Sequence, residues 1–130
     1  MDIRRGQVWW WNCPSRDREH IQKGTRPVVI VSNDTCNRVS PAVTVVPLTT
    51  RASGAYPQQA PIVIERRVSI ALADQLTTIS VNELGSYVTT LQQFQMNDID
   101  RAILVQMGFI SASESICSVK KIKVTDNGTG

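Results

Sequence analysis

Four consecutive β-branched residues, Val28-Val29-Ile30-Val31, constrain this chain more than any other stretch. The run is too short for a typical helix and shows no polar alternation, so it reads as a strand buried on both faces. Its entrance is equally specific. Gly24 permits close backbone approach, and Pro27 fixes φ while biasing Arg26 before it toward an extended conformation. A guanidinium therefore stands at the mouth of a buried strand, where its planar fork of donors can take a phosphate or a carboxylate. A solvated arginine at a strand start is the plainer reading of the same residues.

The remaining composition narrows the class. At 130 residues and 42% hydrophobic, the chain is a globular domain with room for a core. No apolar run approaches the roughly 20 residues that span a bilayer, and Met1-Asp2-Ile3-Arg4-Arg5-Gly6 lacks the apolar core of a signal peptide, so a cytoplasmic protein without a membrane partner is expected. Cys13, Cys36 and Cys117 form no CxxC pair and leave one over in any pairing, and His20 is the only histidine. Neither a disulfide framework nor a metal centre is expected, and no cofactor is implied. Residues 1–26 hold Arg4, Arg5, Arg16, Arg18, Lys23 and Arg26 against Asp2, Asp17 and Glu19, which accounts for the whole net charge of +3. A basic patch near the N-terminal loop suits an anionic partner.

Along the chain, Gln7 to Trp11 reads as a first strand, with Val8 and Trp10 on one face and Trp9 and Trp11 on the other. The three tryptophans fit a core-plus-interface role or a base-stacking platform. Asn12 to Lys23 is a long polar loop of the kind that often carries function. A turn is expected over Asn33 to Pro41 and a third strand over Ala42 to Leu48, delivering Thr49 and Thr50 to its exit. A second polar loop spans Arg51 to Pro61. Two short strands, Ile62 to Ile64 and Val68 to Leu72, flank the turn Glu65-Arg66-Arg67 and run into Ala73-Asp74-Gln75. Thr77 to Ser80 reads as a bend, and Val81 to Leu91 as a turn with a last short strand near Ser86 to Thr89. Asn97 is expected to cap a helix over about Asp98 to Met107, with Ile99, Ala102, Ile103 and Gln106 on one face and Gly108 ending it. A strand at Ile116 to Val124 is the one element expected in the tail. Many short strands, one or two helices and no βαβ rhythm indicate a mainly β small barrel with helices packed outside.

Five segments then fall together in order: Arg5-Gly6-x-Val8, Gly24-x-Arg26-Pro27-Val28-Val29-x-Val31, Asn37-Arg38, Val45-Val46-Pro47-Leu48-Thr49 and Ala71-Leu72-Ala73-Asp74-Gln75. Over about residues 4–108 the chain resembles the MazF/PemK (Kid) endoribonuclease toxins of type II toxin–antitoxin systems. The resemblance implies an SH3-like barrel of the PemK/CcdB kind with its C-terminal helix outside, in a toxin unit 1–108 followed by an extension, 109–130, that is partly disordered. It implies a homodimer that binds a cognate antitoxin and cuts single-stranded RNA at short motifs without metal, inhibiting translation and growth. The family's activity maps onto Arg26 and Thr49. Arg16, Arg18, Lys23, Thr50 and Gln75 are then candidates for holding RNA.

Metal-free RNA cleavage needs a proton acceptor for the ribose 2′-OH, a proton donor for the leaving 5′ oxygen and fixed donors for the developing charge. Arg26 can clamp the phosphate bidentately and Thr49 can donate to a phosphoryl oxygen. A guanidinium keeps its proton far above neutrality and is a poor base. His20 has a suitable intrinsic pKa and aligns with a loop histidine that some members place near the active site, and Asp74 matches a position tied to catalysis in some members. A solvated loop residue and a structural acceptor for backbone donors are their respective alternatives. The chain departs from some relatives at Leu72, where they carry a second arginine, at Ile21, where they carry a glutamate, and at Ser80, where they carry an aspartate. These departures bear on the RNA motif more than on the reaction. A gyrase-inhibiting toxin on the same fold is one alternative, although it goes with a hydrophobic Trp-bearing C-terminus and this chain ends Asp126-Asn127-Gly128-Thr129-Gly130. A non-catalytic RNA- or antitoxin-binding relative is the other.

Overall fold

The β-branched run forms the body of β2 (Gly24–Ile30), and its two faces supply two separate cores. A computed structural model of the chain describes residues 2–13, 24–53 and 56–113. Val29 packs with Val8, Val46, Leu48, Ile62 and Ala71 on one side. Val28 and Ile30 pack with Trp9, Val43, Val45 and Ile79 on the other. All three are fully buried, each stabilising the fold by roughly 1.5–3 kcal/mol. A strand solvated on one face would alternate apolar with polar residues, and a strand covered on both faces does not.

β2 lies between β1 (Gln7–Cys13) and β3 (Ala42–Thr49), antiparallel to both. Outward from β3 come β5 (Arg67–Leu72) and β4 (Gln59–Ile64), and outward from β1 comes β7 (Leu84–Thr90). β3 divides one of its edges. Its first half, Ala42 to Val45, pairs with β6 (Thr77–Ser80), and Leu48 and Thr49 pair with β5. The result is a curled antiparallel sheet. α2 (Gln93–Gln106) packs Met96, Ile99 and Ala102 onto the Val29 core. The mainly β architecture with its C-terminal helix outside is therefore as expected. No helix among the described residues is long and apolar enough to cross a membrane.

Several local expectations are corrected. The segment Asn33 to Pro41 is not a turn throughout: α1 (Asp34–Val39) occupies most of it. The Asn33 side chain accepts the Cys36 N–H (2.9 Å), and Asp34 places a negative charge in the first turn, so the residues that suggested a turn form an N-cap. Buried Asn37 fixes this corner, donating to the Ser32 carbonyl (2.9 Å) and accepting from the Ser32 hydroxyl (2.6 Å). Thr77 to Ser80 is a strand and not a bend, because β3 is long enough to pair with it as well as with β5. β4 begins at Gln59, inside the expected second loop, and β7 begins at Leu84, two residues before the expected strand.

α2 starts at Gln93 and not at Asp98. Gln95 accepts the Gln92 N–H (2.9 Å) at the true start, and Asn97 accepts from Gln93 Nε2 (2.9 Å) one turn on, which satisfies it within the helix. Gly108, at φ +81°, ends the element as expected. The expected strand at Ile116 to Val124 lies outside the described residues. Arg5 joins α1, β2 and α2: its N–H donates to Asp34 Oδ1 (2.6 Å), its Nε–H to the Val31 carbonyl (3.1 Å), and its guanidinium pairs with Asp100.

Candidate active site

Register brings Arg26 and Thr49 together. β2 and β3 pair Ile30 with Val45, Val29 with Val46 and Val28 with Pro47. Continued two residues toward the strand ends, the same register sets Arg26 opposite Thr49 on one face of the sheet. On the other side of Arg26, β1 pairs it with Trp11. The strand ends border a cleft of about 330 Å³. Trp10 of β1, Thr25 and Arg26 of β2, and Thr49, Thr50 and Arg51 at the exit of β3 line it. β3 stops at Thr49, and Thr50 beyond it also lines the cleft.

The charges in this cleft are free to meet a ligand. Arg5, Arg26 and Arg101 are the partly buried cations among the described residues. Arg5 is held by Asp100 and the Val31 carbonyl, and Arg101 donates to the Ala112 carbonyl. Arg26 makes no hydrogen bond or ion pair among the described residues, although part of its side chain is withdrawn from water. Thr49 Oγ1 accepts the Arg51 N–H (3.1 Å), which occupies a lone pair and leaves the hydroxyl hydrogen available to donate. The cleft can therefore offer a planar cation, a hydroxyl donor and a second guanidinium to one anion.

The other candidate residues are distributed unevenly. Asp74 and Gln75 lie exposed in a 3-10 turn after β5, outside the residues lining the cleft. Arg16, Arg18, His20 and Lys23 lie outside the described residues, on the segment joining β1 to β2. Cys13 and Gly24, which flank that segment, are paired at the cleft end of the sheet. Leu72, where some relatives carry arginine, is buried in the sheet. Arg51 supplies a guanidinium from a different element, and sequence reading missed it because it looked like an ordinary loop residue. Its position two residues beyond Thr49, at the end of an apolar strand, was the available signal. Among the described residues, no three His, Cys, Asp or Glu side chains group as a metal ion would require.

A larger groove, about 870 Å³, runs between α1, α2 and the start of β3. Its cation is Arg5, already engaged by Asp100 and the Val31 carbonyl, so it offers an anionic ligand little. Size and chemistry disagree here, and the smaller cleft is the better site for an anion.

The sequence from residue 4 to residue 107 matches the family of PemK-like, MazF-like toxins of type II toxin–antitoxin systems. This chain belongs to that family. Among solved structures, it resembles an endoribonuclease from a mycobacterial species at 28% identity, covering 83% of this chain and 93% of the other with a TM-score of 0.68. It also resembles a mycobacterial endoribonuclease in complex with its cognate antitoxin, at 29% identity, 83% and 97% coverage and a TM-score of 0.67. MazF from Deinococcus radiodurans, 20% identical over 83% of this chain and 98% of its own, shares the fold with a TM-score of 0.69. The MazF-like toxin fold thus carries an Arg26–Thr49 cleft at the ends of its central strands.

Proposed function

We propose that this MazF-like toxin is an endoribonuclease that cuts single-stranded RNA in the Arg26–Thr49 cleft. The observation that carries the reading is partly buried Arg26, which has no hydrogen-bond or ion-pair partner among the described residues and lines the same cleft as a hydroxyl free to donate. Withdrawing a cation from water without pairing it is unfavourable, so the arrangement is best explained by an anionic ligand that completes it. The mycobacterial endoribonucleases to which the chain is similar point to RNA as that ligand.

The ribose 2′ oxygen attacks the adjacent phosphorus, the new O2′–P bond forms and the P–O5′ bond breaks. The 2′ proton passes to a base and the 5′ oxygen gains a proton, leaving a 2′,3′-cyclic phosphate and a 5′-OH. Arg26 clamps two non-bridging oxygens, and Thr49 donates to the charge that builds on them. Arg51 adds positive charge at the β3 exit. Among the described residues, no histidine or carboxylate lines the cleft. We assign the proton acceptor to His20, the one side chain with an intrinsic pKa near neutrality, on the segment that begins and ends beside Arg26. Asp74 stands farther from the case because it does not line the cleft.

Residues 1–108 form the toxin unit of this reading and 109–130 its extension. The unit acts in the cytoplasm as a two-fold dimer. Trp9 is buried within this chain's own core, and the exposed apolar side chains that a dimer would cover are those of Phe94, Met107 and Phe109. A cognate antitoxin lays an acidic segment over the basic surface near Arg16, Arg18 and Arg26, in keeping with the antitoxin-bound mycobacterial relative. Incubation with a long unstructured RNA in EDTA tests the reaction. Cleavage to cyclic-phosphate and 5′-OH ends is expected, together with none at a site whose ribose lacks the 2′-OH. Cutting that vanishes in EDTA and returns with magnesium, or that survives deoxyribose at the scissile position, would overturn it.

A further inference from the structure

The three adjacent tryptophans have separate fates. The Trp9 indole is buried at 7% exposure and donates its N–H to Gln7 Oε1 (3.0 Å), with its ring against Tyr87. Trp11 is partly buried and donates to Glu83 Oε1 (3.0 Å). Trp10 is different. It is 40% exposed, its N–H has no partner among the described residues, and it lines the cleft that Arg26 and Thr49 share. β1 pairs with β7 irregularly on either side of Trp9, and the register shifts there by a residue between Val8 and Trp9 and again between Trp9 and Trp11. Against β2 the register of β1 is regular, so strand alternation puts Trp9 on the core face and Trp10 on the other, where it lines the cleft.

An exposed indole lining the same cleft as a guanidinium that has no partner among the described residues suits a planar ligand attached to an anion. A nucleotide in a single strand is such a ligand: its phosphate needs the cation and its base needs a flat apolar face. We propose that Trp10 is the base platform of the cleft, stacking a base next to the phosphate that Arg26 holds, with its indole N–H free to donate to the base edge. This inference rests on the reading of the cleft as an RNA site. It assigns to Trp10 a share of the affinity, and of the selection among bases, that phosphate contacts alone do not provide. A protein-facing role for Trp10 is the competing outcome.

Binding is measured with a single-stranded 2′-O-methyl RNA of random sequence, which keeps its bases and phosphates and cannot be cut by 2′-OH attack. An abasic oligonucleotide of equal length carries the same charge without bases. Trp10→Leu keeps apolar bulk and loses the π face, and Trp10→Phe keeps a smaller π face. Stacking predicts that Trp10→Leu weakens binding to the 2′-O-methyl RNA by about 5- to 150-fold, and that Trp10→Phe retains most of the affinity. Both variants should bind the abasic strand as the wild type does. The tryptophan fluorescence quenched by RNA in the wild type should be absent from Trp10→Phe. Equal binding of the base-bearing strand by wild type and a folded Trp10→Leu protein would overturn the proposal. So would equal losses on both strands, or a sedimentation change placing Trp10 in a protein interface. Cleavage of unmodified RNA, run on the same preparations, separates the two readings. Base-dependent binding through Trp10 without cutting keeps the platform and removes the enzyme, and no binding of either strand by the wild type removes both.

Discussion

Thr49 is the residue whose role is most cleanly separable. Its Oγ1 accepts the Arg51 N–H, which holds the oxygen in place before any ligand arrives and leaves its hydrogen to donate. A preorganised donor of this kind is typically worth 10²–10³ in rate, roughly. Thr49→Val keeps the side-chain volume and a β-branched strand residue, so single-turnover cleavage should fall by about that factor while the melting temperature stays unchanged. A fall in both would mark Thr49 as structural. His20→Gln should lower the rate by about 10²–10⁴ and remove the acidic limb of the pH–rate profile, with RNA binding kept. A profile that retains that limb would take the base away from His20. The positions of Arg26 and Thr49 at strand ends were legible in the sequence because each sits at the end of an apolar run, whereas their roles came from the family resemblance. Alternation separated Trp10 from Trp9 and Trp11, but no sequence pattern says which face of β1 borders a cleft or which loop arginine lies at a strand exit.

At the scale of elements, the β4–β5 hairpin turns through Glu65 and Arg66, both at positive φ (50° and 66°). Two-residue hairpin loops favour that conformation, and glycine adopts it without the Cβ penalty that an arginine carries. Arg66→Gly should therefore stabilise the chain by about 0.5–1 kcal/mol, read as a rise of roughly 2–6 °C in Tm. A lower Tm would mean that the Arg66 side chain holds something in place. The N-terminus of α1 makes a pH-dependent prediction. The Arg5 N–H bonded to Asp34 lowers its pKa; burial opposes this, and the Asn37, Arg4 and Arg5 side chains, each a lesser effect than burial, add to the lowering. A carboxylate whose folded pKa is depressed stabilises the fold above its unfolded value, and that contribution is lost as pH falls through the folded one. The stability gap between wild type and Asp34→Asn should be full above about pH 4 and close in more acidic solution. A gap constant across that range would separate Asp34 from the effect. The short helix itself escaped the sequence because its capping residues and turn residues are of the same types, and the early start of α2 escaped because Gln92 and Gln95 are weaker start signals than Asn97 and Asp98.

The whole molecule is a curled sheet whose central strand is buried on both faces and whose strand ends meet at one cleft. The sheet fixes the cleft more firmly than loops could, because the buried register of Val28 to Ile30 against Val45 to Pro47, continued to the strand ends, sets Arg26 across from Thr49. The fold was readable because uninterrupted β-branched runs, short spacings and a single helical periodicity agree with one another. The central claim is that Arg26 acts on RNA as a planar two-donor clamp and is not a structural strand-start residue. One preparation of Arg26→Lys decides it, assayed beside wild type by single-turnover cleavage of a short RNA and by thermal unfolding. Lysine keeps the charge and loses the fork, so cleavage should fall by about 10²–10³ with Tm unchanged. A folded Arg26→Lys protein that cuts at the wild-type rate would contradict the account.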